Sequence, residues 1–137
     1  MVKAKISAPE LVKDSSGKPY TEFSKGIRVE ILNSSKKPVT ILTANYGKRY
    51  DKSEETIVQN DVIVINENGD KLETEELTRN DKTGELHTDA FVKITTAYEV
   101  LYGMGLRANE DFSFYQLDSL HGEINFIEDD FLLDNWY

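Results

Sequence analysis

The sequence predicts an all-β fold with at most one or two short helices, a barrel or a sandwich of five or more strands. Three observations predict it. Gly26-Ile27-Arg28-Val29-Glu30-Ile31 alternates apolar with charged side chains, the period-two signature of a strand with one buried face. Similar runs rich in Val, Ile, Thr and Tyr recur along the chain. Clusters of small polar residues separate them at hairpin spacing, as strand-turn-strand architecture requires.

The first strand stops at Asn33-Ser34-Ser35-Lys36-Lys37, a turn-forming stretch, and Pro38 restarts an extended run, Val39-Thr40-Ile41-Leu42-Thr43. These two form a hairpin. Thr56-Ile57-Val58 to Val62-Ile63-Val64-Ile65 is the next strand, and Asn66-Glu67-Asn68-Gly69-Asp70 supplies the positive φ of a tight turn into a second hairpin. Lys71 to Arg79 suits a short helix, because Leu72 and Leu77 sit among good helix formers. Asn80-Asp81-Lys82-Thr83-Gly84 breaks it. Ala90 to Tyr102 is long enough for a helix, but Thr95-Thr96 and its β-branched content favour strand. Phe112 to Leu117 and Glu123 to Ile127 read as the last strands, with His121-Gly122 as the turn before the second.

A chain of 137 residues fits one core. Residues 1–127 are expected to form a single β domain, followed by an acidic, aromatic-ended tail over 128–137. Without cysteine, disulfides, thiolate zinc sites and a cysteine nucleophile are excluded. The amino terminus shows no signal-type apolar stretch and no window approaches the roughly 18 apolar residues of a membrane span, so the expected location is the cytoplasm, with no membrane partner. Charge is unevenly placed. Residues 1–52 carry a net +6, whereas from Glu110 to Tyr137 there are eight acids and no Lys or Arg. Such asymmetry suits a polyanion-binding body with an acidic tail, or two halves that fold side by side and neutralise one another.

Catalytic and metal chemistry is not encoded in any motif. His87 and His121 stand alone, without the paired spacing of a zinc site, and Glu128-Asp129-Asp130 reads as a solvated acidic run rather than a cation site. No nucleophile elbow or phosphate loop is present, and Gly103-Met104-Gly105 lacks the glycine and lysine that phosphate binding needs. The expectation is a non-enzymatic protein with no cofactor and no metal.

What remains is a mix of rings and cations in the basic half. Tyr20, Tyr46 and Tyr50 lie among Lys18, Lys25, Arg28, Lys48 and Arg49, the combination that stacks bases and neutralises phosphates in grooves for single strands. Ser15-Ser16-Gly17-Lys18-Pro19-Tyr20-Thr21-Glu22-Phe23-Ser24 resembles a stretch that feeds an early barrel strand in bacterial and phage single-stranded DNA-binding proteins of the OB fold. The terminal segment, with Asp129, Asp130, Phe131, Trp136 and Tyr137, is similar to the acidic tail with which such proteins dock their partners. The third-strand Trp of that family is missing, as is its Gly- and Gln-rich linker. The resemblance implies a five-stranded OB-like barrel that binds single-stranded DNA, in a phage or conjugative element, with a protein partner on the tail and self-association left open. Two alternatives stand beside it. Arg28 to Ile41 resembles the strand-turn-strand of small immunoglobulin-like surface-lipoprotein domains, a protein-binding β-sandwich. The acidic half also suits a phage-type inhibitor that imitates the phosphate spacing of DNA.

Overall fold

The computed structural model describes residues 4–119 and 121–124. Their strands form a single antiparallel sheet, twelve in number, and no helix occurs among the described residues. The strands are best understood as eight consecutive rows, each bent near its middle. The first row joins β1 (Ala4–Ser7) to β2 (Val12–Asp14), the second β3 (Tyr20–Phe23) to β4 (Ile27–Leu32), and the third β5 (Pro38–Ala44) to β6 (Tyr46–Tyr50). Four long strands follow: β7 (Glu55–Ile65), β8 (Lys71–Asn80), β9 (Leu86–Thr95) and β10 (Glu99–Ala108). The last row joins β11 (Tyr115–Leu117) to β12 (His121–Ile124).

Pairing sorts the half-rows into two layers. In one, β1, β4 and β5 lead through Ile63–Ile65 of β7 into the paired halves of β8, β9 and β10 and on to β12. In the other, β2, β3 and β6 lead through Glu55–Gln59 into the opposite halves and on to β11. Bulges make the bend. Register shifts fall between Gln59 and Val62, between Thr74 and Thr78, and between Met104 and Leu106. The residues there tolerate the left-handed region: Asn60 and Asp61 have φ of 69° and 57°, and Gly105 has φ of 104°. In β8 the bulge also resets the facing. Leu72 and Thr74 point inward before it, Leu77 and Arg79 after it, so both halves address the same interior despite the odd spacing.

One core results. Val29, Leu42 and Val64 from the first layer and Phe23, Leu77 and Leu86 from the second belong to the same buried cluster. The layers therefore face each other across the bend. The alternation that places these residues is the period-two pattern of half-buried strands, with Arg28 and Glu30 outside and Val29 and Ile31 inside.

Several expectations are corrected. Lys71 to Arg79 is strand β8, because cross-strand pairing with β7 and β9 outweighs the weak helix propensity of its Glu and Leu residues. Ala90 to Tyr102 spans two strands, divided at Thr96, whose hydroxyl accepts the N–H groups of Tyr98 and Glu99. Phe112 is in a loop rather than a strand, and His121-Gly122 begins β12 rather than turning the chain. A closed five-stranded OB barrel is excluded, since the described outer rows, β1–β2 and β11–β12, pair on their inner sides and not with each other. The immunoglobulin-like sandwich fails for a different reason: here the same strands run through both layers. The proposed boundary between residues 127 and 128 lies outside the described residues.

Candidate functional site

The largest organised feature of the fold is its interior. Alternate side chains from eight rows fill it or pack against it, and Leu72, Leu77, Val92 and Ile94 are wholly enclosed. Opposite the bend, the free ends of the layers meet. The Asn66 side chain, at the tip of the β7–β8 turn, donates from Nδ2 to the Asp111 carbonyl in the β10–β11 loop at 3.1 Å. Its Oδ1 accepts the N–H groups of Asn68 and Asp70, which fixes the turn that carries it. Tyr115 comes to the same place from the second layer. Burial raises its hydroxyl pKa, helped by the carboxylates of Glu99 and Asp70 on the first layer.

The β10–β11 loop, residues 109–114, is tightly built. Asn109 Oδ1 accepts the Phe114 N–H, and the Asp111 carboxylate takes both the N–H and the hydroxyl of Ser113. Burial works to raise the Asp111 pKa, but those Ser113 bonds win and hold it below the usual carboxylate value. The loop turns Phe112 inward, where it is 2% exposed with φ of 43°, and leaves Phe114 in solvent.

At the outer end of the second layer the interior becomes polar. Asp81 accepts from Arg79 Nη1 at 2.9 Å, from Arg49 Nε at 2.8 Å and from the Thr56 hydroxyl at 2.8 Å. Arg49 also reaches Asp51. Arg79 is almost wholly enclosed, and its Nε has no partner among the described residues. A buried arginine tolerates this only because Asp81 neutralises it.

The basic and aromatic residues singled out in the sequence come together in part. Tyr20, Lys48 and Tyr50 share the outer face of β3 and β6, with Lys48 Nζ 4.1 Å from the centre of the Tyr20 ring and 5.2 Å from that of Tyr50. Lys18 covers Tyr50 at 5.1 Å. These cations lie on the rings that a base would stack against. Tyr46 lies on the same outer face, two residues from Lys48, where its hydroxyl donates to Glu22 at 2.5 Å; this bond, with burial, pushes its pKa up to about 12. Arg49 faces the opposite side of β6, in the Asp81 network. Arg28 lies outside the first layer, paired with Glu30, and Lys25 sits near Glu10 at 3.9 Å. The expected docking residues Asp129, Asp130, Phe131, Trp136 and Tyr137 lie outside the described residues.

Sequence reasoning overlooked the interior as a site, although its signal was present in the alternation of Val58, Val62, Val64, Leu72, Val92 and Ile94, which was read only as core. It also missed Phe112, whose neighbours Asn109, Asp111 and Ser113 are turn formers that mark a built loop.

Comparison with known proteins identifies a family. The family model described as lipopolysaccharide-assembly, LptC-related, matches residues 1–119. No curated protein matches the chain. The family match overturns the resemblance to single-stranded DNA-binding proteins and with it the DNA partner, the origin in a phage or conjugative element, and both alternatives, immunoglobulin-like module and DNA mimic. It also overturns the cytoplasmic location and the absence of a membrane partner, since the family consists of periplasmic proteins anchored at the inner membrane. The misleading fragments were short, about ten residues against a match that runs through every row from β1 to β11. On that extent, the chain belongs to the LptC-related family of lipopolysaccharide assembly.

Proposed function

We propose that this chain is a non-catalytic component of lipopolysaccharide transport that works in the periplasm and shelters the acyl chains of its cargo between the two layers. The observation that carries the reading is the single apolar interior to which both layers contribute, in a chain of this family. Acyl chains leave water at a gain of about 0.8 kcal/mol per buried CH2, so a slot walled by Val, Leu and Ile supplies affinity without needing a polar contact at depth. Sugars and phosphates would stay in water at the mouth of the slot. Among the described residues the outer rows, β1–β2 and β11–β12, pair on one side only, and through such edges the sheet would extend onto neighbouring transport proteins.

The test is an acyl-chain probe. cis-Parinaric acid should gain fluorescence on mixing with the protein, and purified lipopolysaccharide should displace it while single-stranded DNA does not. A protein that gives no fluorescence gain, or whose bound probe lipopolysaccharide fails to displace, is not an acyl-chain carrier.

A further inference from the structure

A closed interior cannot take cargo without something moving. Leu72, Leu77, Val92 and Ile94 are wholly enclosed, so an acyl chain that reaches them must displace atoms that now fill the space. The bend resists such movement, since β7, β8, β9 and β10 pass through it with continuous pairing on both sides. The opposite margin is held differently. There, among the described residues, the layers are joined by one side-chain hydrogen bond, from Asn66 to the Asp111 carbonyl.

We propose that the 109–114 loop is the closing strap of the interior and that Phe112 is a resident plug, occupying the place of an acyl chain until cargo displaces it. This rests on the acyl-carrier reading above and identifies where that site opens. Three features of the loop converge. Phe112 is among the largest fully buried side chains, yet it comes from a loop and not from a strand. Its φ of 43° is a region that a bulky residue seldom adopts, so the inward position is imposed by the loop rather than preferred by the residue. The loop keeps its own shape through Asn109, Asp111 and Ser113, and can therefore swing as a unit, giving up the Asn66 contact, the packing of Phe112 and the contact of Glu110 with Gly84.

The strap makes apparent affinity depend on the fraction of molecules in which it is open. Removing the plug should raise affinity and fixing the strap should abolish entry. The experiment uses the whole chain and cis-parinaric acid as probe. Phe112→Ala should bind the probe at least about ten-fold more tightly than the unaltered protein. Because the protein has no cysteine, Asn68→Cys with Phe114→Cys adds one reactive pair, one on the first-layer turn and one on the strap, and leaves the Asn109, Asp111 and Ser113 side chains in place, to be joined by a reducible bis-maleimide linker. Joined protein should lose probe uptake, and reductive cleavage of the linker should restore it in the same sample. This internal comparison holds even if Phe112→Ala folds poorly. Uptake unchanged by the linker would overturn the strap, and weaker binding by a folded Phe112→Ala would make Phe112 a wall of the site rather than its plug. Either result, obtained with an unaltered protein that binds the probe, leaves the carrier reading standing. Failure of the unaltered protein to bind would remove both.

Discussion

Asp81→Ala isolates the energetics of the polar end of the interior. The carboxylate removed is 13% exposed and bonds Arg79, whose side chain is 6% exposed, as well as Arg49 and Thr56. Deleting it strands a buried guanidinium whose Nε already lacks a partner among the described residues. Breaking a buried pair in this way typically costs about 3–5 kcal/mol. Arg49 is 31% exposed and keeps Asp51, so water screens its share and the lower end applies. A loss of about 3 kcal/mol lowers the melting temperature of a chain this size by roughly 10 °C. Urea unfolding followed by circular dichroism measures it, with Arg79→Met/Asp81→Ala as the companion. That double variant removes the stranded charge together with its partner and should recover most of the loss, since a buried pair replaced by apolar groups is often neutral. A single variant within about 1 kcal/mol of the parent would refute the reasoning. So would a double variant as unstable as the single.

Three further outcomes follow from the same geometry. Gly105→Val forces a branched side chain to φ of 104° with its Cβ 3.0 Å from Asp118 Oδ2, and should cost more than Gly69→Val, where φ is 83° but the surroundings are open; equal melting temperatures would show that the bend does not depend on Gly105. Tyr46→Phe should lose about 1 kcal/mol and remove the most delayed tyrosine ionisation in a spectrophotometric titration. Because the folded Tyr46 pKa is raised to about 12 from 10, its contribution is complete below pH 10 and disappears as pH climbs through about 12, so parent and variant should converge in stability there. Leu72→Ala, at a fully buried site between the layers, should cost about 2–5 kcal/mol in the same unfolding assay.

The sequence made the strands of the first layer legible because their alternation is regular. Ile27–Leu32, the Asn33–Lys37 turn and the Asn66–Asp70 turn all stand where period-two patterning and turn chemistry put them. The rest was hidden by the bend. In β8 the bulge at Glu75-Glu76 shifts inward positions from Leu72 and Thr74 to Leu77 and Arg79, which breaks the alternation and leaves only the helix-forming residue types to read. Met104 and Leu106 likewise flank a shift in β10. A register that changes in mid-strand leaves no period for a pattern to find. The site was obscured for a related reason: an apolar interior that carries cargo and one that only stabilises the fold have the same residues, so attention went to charge. Lys48, Tyr20 and Tyr50 did come together, but as mutually covered side chains, while Arg49 faced inward to Asp81.

The central claim, that cargo sits between the layers, is tested most directly by photo-crosslinking from two residues of one layer. A benzoylphenylalanine in place of Phe23 reports the interior with an aromatic exchanged for an aromatic, and one in place of Tyr50, on the neighbouring strand, reports the outer face. Irradiated with lipopolysaccharide, the protein should form adducts from position 23 and not from position 50. Adducts from position 50 alone would place the cargo outside the sheet and contradict the account.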